Sequence, residues 1–291
     1  MKNVAIVGLG LLGTSMAMAL KDKGIRRLGW TRRGDVRKSL LEKGVIDETA
    51  DNPDDLLAKA DIAVLCLPVP AISEFCAEHA EAFKPNSIVT DIGSVKRVVM
   101  RKASEALADS SATFIGSHPM AGTEKTGPDA AFPELYRNAI VFVTPPCGGD
   151  PARVRELNDF WKTLDTKPIP IDPDEHDRLV AFTSHISHMI ALALTNAVLA
   201  SAGGERGLRG LACCGAFRDC SRVASSSPAM WREIIERNTE NVVDALKGFK
   251  HELETLIEAI SDGRYDDFEN MFADAKKIRD AWMAERYPNL L

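Results

Sequence analysis

Val4-Ala-Ile-Val7-Gly8-Leu9-Gly10-Leu11-Leu12-Gly13 decides the fold class of this chain. Residues 4–7 read as a buried strand, and the glycines that follow match G-x-G-x-x-G. The pattern is weak by itself. Its context, a strand before it and an apolar helical run over 12–23 after it, gives it meaning. Gly8 permits a tight turn, Gly10 lets the backbone approach a pyrophosphate, and Gly13 lets the helix lie close to the strand. The helix N-terminus then offers unpaired N–H groups and a positive dipole end to phosphate.

Outward from this stretch, predicted strands at 25–30, 62–67, 87–91, 113–116, 139–144 and 168–171 alternate with helical patterns at 36–43, 71–80, 94–108 and 152–164. The rhythm predicts an α/β fold, an N-terminal Rossmann-type doubly wound parallel sheet over residues 1–171. Asp172-Pro-Asp174 has the chemistry of a helix start and marks the expected boundary. Residues 172–291 read as an all-helical C-terminal domain, with helices at 176–200, 228–258 and 265–285. A helix as apolar as 186–200 is expected to be buried on most sides. In so small a domain that points to burial against a second copy, and so to a homodimer.

Composition narrows the function classes. The chain has 291 residues, 45% of them apolar and 27% charged, and a net charge of −6. That balance disfavours nucleic acid and anionic membranes as partners. No apolar run is expected to span a bilayer. The apolar start contains Gly8, Gly10 and Gly13 and does not read as a signal peptide. The six cysteines (Cys66, Cys76, Cys147, Cys213, Cys214 and Cys220) have neither zinc-type spacing nor a disulfide framework. Free thiols in a reducing cytoplasm are expected.

The end of the second predicted strand reads Gly29-Trp30-Thr31-Arg32-Arg33. NAD-binding folds place a carboxylate here for the ribose 2′-OH. Thr31 replaces it, and a guanidinium can hold a 2′-phosphate through two parallel hydrogen bonds. NADP is therefore expected in preference to NAD. Two readings stand against this: the arginines as solvated surface charges, and Asp35 as the ribose ligand, which keeps NAD possible. The expected cofactor-binding set is Gly8, Gly10, Leu11, Leu12, Gly13, Thr31, Arg32, Arg33, Leu67 and Pro68.

Further on, Gly116-Ser-His118-Pro-Met-Ala-Gly-Thr-Glu124-Lys-Thr-Gly127 puts one imidazole in a glycine-bounded loop, with a carboxylate six residues later. An imidazole titrates near neutrality and suits the proton-accepting half of an alcohol oxidation. Taken alone, it reads more readily as a loop cap. Ile88-Val-Thr-Asp91-Ile-Gly93-Ser94-Val-Lys96 leads from strand into helix. Ser94 is there an N-cap, or a hydroxyl partner for His118 or a substrate.

Asp91-x-Gly-Ser-Val-Lys96 and Gly116-x-His-Pro-x-Ala-Gly-Thr-Glu124 are followed by Thr183-Ser-His185-Ile-Ser-His188 and by Gly215-Ala-Phe-Arg-Asp219-Cys-Ser-Arg222-Val-Ala-Ser-Ser-Ser-Pro-Ala-Met-Trp231. These four blocks span nearly the whole chain, and in this order it resembles the prephenate/arogenate (cyclohexadienyl) dehydrogenase family. The resemblance implies an oxidative decarboxylation in tyrosine biosynthesis. Hydride passes from a cyclohexadienol to a nicotinamide, and carbon dioxide leaves as the ring becomes aromatic. By the same resemblance His118 is the catalytic base and Ser94 the hydroxyl-polarising group. Arg222 holds the substrate carboxylate, His188 is a second substrate ligand, and Glu124 shapes the entrance. Gly215 and Trp231 fall where the family brings residues from the dimer partner to the pocket edge.

The residues admit other readings. Arg222 has Asp219 as an alternative ion-pair partner. His185 and His188 are two metal-ligand types with no third, so no metal is expected. His185 reads as a packing or hydrogen-bonding residue, and His176 as structural or solvated. Relative to the family, no fused chorismate mutase segment and no C-terminal regulatory extension are expected. A β-hydroxyacid dehydrogenase or imine reductase is the alternative enzyme. The former uses a helical-domain lysine for proton transfer, and no lysine lies between Lys167 and Lys247. A non-catalytic NADP sensor is the alternative outside enzymes. The Ser94, His118 and Arg222 set speaks against it.

Overall fold

The computed structural model describes residues 2–123, 125–200 and 205–286. Five parallel strands form its first sheet: β1 (Asn3–Val7), β2 (Arg26–Trp30), β3 (Ile62–Leu65), β4 (Ile88–Asp91) and β5 (Thr113–Phe114). They run in the order β2-β1-β3-β4-β5. The connections are α1 (Leu11–Ala19), α2 (Gly34–Glu42), α3 (Asp54–Leu57), α4 (Val69–Glu78) and α5 (Arg97–Ala106).

Alternation along β1 sends Val4 and Ile6 into one apolar layer with Met16, Phe160 and Trp161. Ala5 and Val7 go into the other, with Leu57, Phe75 and Met100. Both faces are covered, as an all-parallel sheet requires. The strand order reverses between β1 and β3. That switch point is where this kind of sheet leaves its ligand crevice.

Past β5 the sheet departs from expectation. Residues 113–116 do not form one strand: the chain breaks at Ile115 and re-enters as β6 (Gly116–Pro119). β6 pairs antiparallel with β7 (Ile140–Thr144), which pairs in parallel with β8 (Lys167–Pro170) beyond α6 (Pro151–Lys162). The result is a separate three-stranded sheet. Gly116 explains how β6 fits, because a Cβ there would sit 2.3 Å from Thr144 Oγ1 and 2.7 Å from Met100 Sδ. Next to it, Ser117 Oγ accepts from Trp161 Nε1 at 3.0 Å and lies 2.8 Å from Thr90 Oγ1. Strand β6 is thereby fastened to both sheets.

The helical part begins at α7 (Pro173–Val180), as expected. Asp172 accepts from the N–H groups of Asp174 and Glu175, and Pro173 sits in the first turn. The single helix expected over 176–200 is interrupted by a π-helical turn (Ala181–His185) before α8 (Ile186–Leu199). Then come α9 (Glu205–Ala212), α10 (Gly215–Ser221), a 3-10 turn (Arg222–Ser225) and α11 (Pro228–Arg237). The helix expected over 228–258 breaks at Asn238, which is fully buried, and α12 (Thr239–Ser261) and α13 (Tyr265–Arg286) complete the chain. Compactness divides the chain after Thr239, so α7–α11 belong to the same unit as the sheets.

Within one chain α8 is largely uncovered: Ala191 is its one buried residue, and Leu192 is 49% exposed. One expectation about this stretch, that no apolar run is long enough to span a bilayer, is corrected. The helical stretch Pro173–Leu199, at 27 residues and mean hydropathy 1.2, reaches the length and apolarity of a membrane span. Its first two turns nevertheless carry Asp174, Glu175, Asp177 and Arg178.

Candidate active site

The glycine motif forms a cradle at the switch point. Gly8 has φ +100°, and a Cβ there would lie 2.2 Å from the Cys66 carbonyl oxygen and 3.3 Å from Leu67 Cδ2. A Cβ on Gly13 would lie 2.0 Å from the Gly8 carbonyl oxygen. Gly10, the exposed N-cap of α1, has no protein atom within 4 Å of a built Cβ and makes no side-chain cap. Its surroundings thus leave open the approach that a pyrophosphate needs, in front of the α1 N–H groups. Leu11 and Leu12 begin α1, and Pro68 is the N-cap of α4 across the switch point. These residues fit a dinucleotide.

At the end of β2, Thr31 is half-buried, while Arg32 and Arg33 are exposed. Asp35 is engaged by Arg33, Nη2 to Oδ2 at 2.8 Å. Sequence reasoning passed over Arg37. Its buried guanidinium donates to the Thr31 carbonyl and to Asp51 Oδ1, each at 2.6 Å, and so holds the turn in shape.

His118 lies on β6 and is 8% exposed. Its Nδ1 is 2.9 Å from His176 Nε2, and His176 Nδ1 is 2.8 Å from Asp177 Oδ1. A carboxylate only accepts here, so His176 carries its proton on Nδ1 and accepts at Nε2. His118 therefore donates from Nδ1 and keeps a lone pair on Nε2. Of the two readings of His176, the solvated one is corrected: it is fully buried and bonded to the catalytic candidate. Asp177 does more. Its Oδ1 accepts from the Lys96 N–H at 2.6 Å and its Oδ2 from the Arg97 N–H at 3.0 Å, capping α5 from a distant helix.

That cap corrects the placing of Ser94. Helix α5 starts at Arg97, so Ser94 is not its N-cap but lies in the bend before it. Among the described residues its hydroxyl makes no hydrogen bond to His118. The bend rests on a fully buried ion pair between Lys96 Nζ and Asp91 Oδ2. Asp91 also accepts from Gly93 N at 2.8 Å and Ser117 N at 3.1 Å. Burial pulls the Lys96 ammonium down in pKa, and the Asp91 carboxylate opposes it. The Asp91-x-Gly-Ser-Val-Lys96 motif thus has a physical meaning that spacing alone did not disclose: its two charged ends close on each other beneath the bend that carries Ser94.

Two of the other predicted substrate residues, His188 and Trp231, meet just past the π-helical turn. His188 stacks on Trp231 with ring centroids 4.1 Å apart, and donates from Nδ1 to the Ser184 carbonyl at 3.0 Å. Burial lowers the His188 pKa, and the positive charge of Arg222 lowers it further. His185 is buried edge-on to Trp231 and shares Asn238 Nδ2, which also donates to the Asp177 carbonyl at 2.8 Å. Asn238 therefore ties this cluster to the His176–Asp177 segment. Asp219 is engaged by Arg218 at 3.0 Å. Gly215 is exposed at the start of α10. Trp231, for which the family resemblance implies a place at a partner's pocket, packs here on His188 of its own chain. Glu124 lies outside the described residues. Among the described residues no three metal-ligating side chains form a cation site.

Burial holds the imidazoles neutral. His118 is pushed well below its ordinary 6.5, first by burial and then by His176, Lys96 and His185. Burial also brings His185 down to about 4. The unfolded chain then binds protons that the folded chain refuses. Stability is complete above about pH 6.5 and falls as pH drops toward 4. At about 1.4 kcal/mol per pH unit, His185 alone costs the fold about 2 kcal/mol between pH 7 and pH 5. Chemical denaturation at the two pH values checks this, with His185→Asn expected to flatten the slope. An unfolding free energy that is the same at both would contradict it.

Comparison with known proteins places the chain in a family. Residues 16–169 match the family model described as prephenate dehydrogenase, nucleotide-binding domain. Residues 172–274 match the one described as prephenate dehydrogenase, dimerization domain. Cyclohexadienyl dehydrogenase of Zymomonas mobilis is 32% identical over 280 residues, 96% of this chain and 95% of that protein. The structure of prephenate dehydrogenase from Aquifex aeolicus with hydroxyphenyl propionate and NAD+ superposes with a TM-score of 0.88 at 29% identity, covering 97% of this chain and 98% of that one. Synechocystis arogenate dehydrogenase gives 0.84 at 30% identity, over 96% and 99%.

A dinucleotide cradle at a parallel-sheet switch point, with these relatives, makes the protein an NAD(P)-dependent oxidoreductase. More narrowly, the chain belongs to the prephenate dehydrogenase family.

Proposed function

We propose that this enzyme oxidatively decarboxylates prephenate or arogenate in tyrosine biosynthesis, with NADP as its preferred cofactor and His118 as proton acceptor. The observation that carries the reading is the polarity of the His118 ring. With Nδ1 committed to His176, the basic lone pair is on Nε2. A bound nicotinamide supplies the hydride acceptor. His118 Nε2 takes the proton of the substrate hydroxyl, Ser94 polarises that hydroxyl, and the ring carboxylate leaves as carbon dioxide. Arg222 offers a planar fork to a substrate carboxylate, and its electrostatic proximity to His188 supports a shared anion site. His188, Trp231, Gly215 and Glu124 complete the substrate pocket in this reading. Prephenate is expected to be accepted.

The preference for NADP rests on this chain alone, since the Aquifex relative was solved with NAD+. Thr31 stands where NAD enzymes place an acid, and Asp35 is drawn to Arg33. Arg32 is exposed beside them and suits a 2′-phosphate. The expected result is a kcat/KM for NADP+ at least tenfold above that for NAD+, reversed in a Thr31→Asp/Arg32→Ser variant. Wild-type preference for NAD+ would overturn this part.

The functional division is placed at 171/172, and the working form is a homodimer through the helical part. The dimerization-domain match supports this, as do Leu192, Leu208, Leu211, Ile257 and Ile278, which are exposed in one chain. Free cysteines throughout suit a reducing cytoplasm.

The test is NADPH formation, followed by absorbance, with purified protein, NADP+ and prephenate or arogenate. Turnover names the substrate. Tight NADP+ binding without turnover on either would favour the sensor reading.

A further inference from the structure

We propose that His176 and Asp177 are positioning residues for proton transfer at His118, and that one carboxylate, Asp177, sets the geometry of both reacting side chains. The inference rests on the reading of His118 as proton acceptor.

The hydrogen bonds run in one direction only. Asp177 Oδ1 accepts from His176 Nδ1 at 2.8 Å, and His176 Nε2 accepts from His118 Nδ1 at 2.9 Å. If either ring took the other tautomer, two N–H groups or two lone pairs would face each other inside the protein, where water cannot replace the lost bond. His176 and Asp177 are both fully buried. The tautomer with the free lone pair on His118 Nε2 is therefore the one this chain of bonds selects.

The same carboxylate reaches the bend that carries Ser94. Its two oxygens accept from the backbone N–H groups of Lys96 and Arg97, two and three residues past Ser94. In turn, Asn238 holds the Asp177 carbonyl. A shift of Asp177 would displace the His118 ring and the Ser94 bend together.

Charge points the same way. When Nε2 takes a proton, His118 becomes an imidazolium whose Nδ1–H still faces His176. No proton need leave Nδ1, because the positive charge is met through the polarised His176 ring by Asp177. Among the described residues, the other charged or titratable groups acting on His118 are Lys96, which is paired with Asp91, and His185, which burial keeps neutral near pH 7. Neither supplies a compensating anion. The bonded arrangement is that of an oriented base. Phe142 packs edge-on against His176, so a phenyl ring at 176 finds a neighbour suited to it.

Four variants test the inference with NADP+ and whichever of prephenate or arogenate turns over: His176→Phe, His176→Gln, His118→Asn and the His176→Phe/His118→Asn double. His176→Phe keeps the ring volume and removes the acceptor. The expected result is a kcat at least a hundredfold lower, with both KM values within threefold. His176→Gln restores an acceptor oxygen and is expected to recover at least tenfold of that loss. The double variant is expected to be no worse than His118→Asn alone, since residues that act as a unit are not additive.

A merely structural His176 would give losses that add to those of His118→Asn and that glutamine does not repair. That outcome, or a His176→Phe enzyme with kcat within threefold of wild type, overturns the proposal while leaving His118 in its role. Full activity in His118→Asn would instead remove the reading beneath it. If His176→Phe does not fold, His176→Gln in the wild-type and His118→Asn backgrounds decides. About a tenfold loss in the first and none in the second is expected, and equal losses in both refute it.

Discussion

His118→Asn is expected to lower kcat by about 10³-fold, within the range for general acid–base catalysis, while NADP+ affinity stays within twofold. Asparagine keeps a donor toward His176 Nε2 and fills similar space, so the hydrogen bonds behind position 118 survive. What disappears is the lone pair on Nε2. The wild-type ring is suited to its task by burial: its pKa lies well below 6.5, so it is neutral and able to accept a proton throughout the neutral range. The sign is definite. Protonated His118 cannot accept, so kcat/KM falls only on acidification below 6.5 and stays level above it until another group titrates. Stopped-flow or steady-state NADPH absorbance gives kcat, and equilibrium fluorescence gives the NADP+ affinity. A variant with kcat within tenfold of wild type would remove His118 from proton transfer. A variant that loses both turnover and NADP+ binding would assign it a structural role.

Much of this was legible in the sequence, for stated physical reasons. The β1–α1 unit was readable because a strand, a glycine pattern and a helix are contiguous, so local chemistry specifies local structure. His118 was readable because glycines isolate it and the family blocks surround it. His176 and Asp177 were not. They sit at the start of a helix whose first turn is acidic, where solvated charges are the ordinary expectation. Their partners, His118 and the Lys96 and Arg97 amides, come from elements far away in the chain. The break at Asn238 was hidden for a similar reason. Its side chain is drawn inward by Asp177 and His185, and no helix-breaking residue announces this. The second sheet escaped because residues 113–116 read as one strand, and what separates β6 from β5 is its pairing with β7, whose residues lie far along the chain. Local signals fix elements, whereas the site is built from long-range bonds between them.

Gly10→Ala and Gly13→Ala are expected to separate what the motif does for the ligand from what it does for the fold. At Gly13 a methyl group would lie 2.0 Å from the Gly8 carbonyl oxygen, a backbone atom that cannot rotate away. Helix α1 must then move off β1, and stability is expected to fall by about 1–3 kcal/mol, as overpacked positions do. NADP+ binding should fail with it, since the displaced helix N-terminus no longer meets the phosphates. At Gly10 the situation is reversed. A methyl group there meets no protein atom within 4 Å, and the φ of −84° is open to alanine. Apart from the N-cap preference for glycine over alanine, no protein contact asks for glycine at this position. A ligand supplies the stronger reason, and the methyl group would stand where a pyrophosphate approaches the backbone. Gly10→Ala is therefore expected to unfold like wild type and yet to weaken NADP+ by at least tenfold, about 1.4 kcal/mol. Thermal unfolding and NADP+ titration of both variants check the pair. If Gly10→Ala bound NADP+ as wild type does, the pyrophosphate would not pass over Gly10, and the cradle would have to be redrawn. If Gly13→Ala kept full stability, α1 would have more freedom against β1 than the 2.0 Å approach allows.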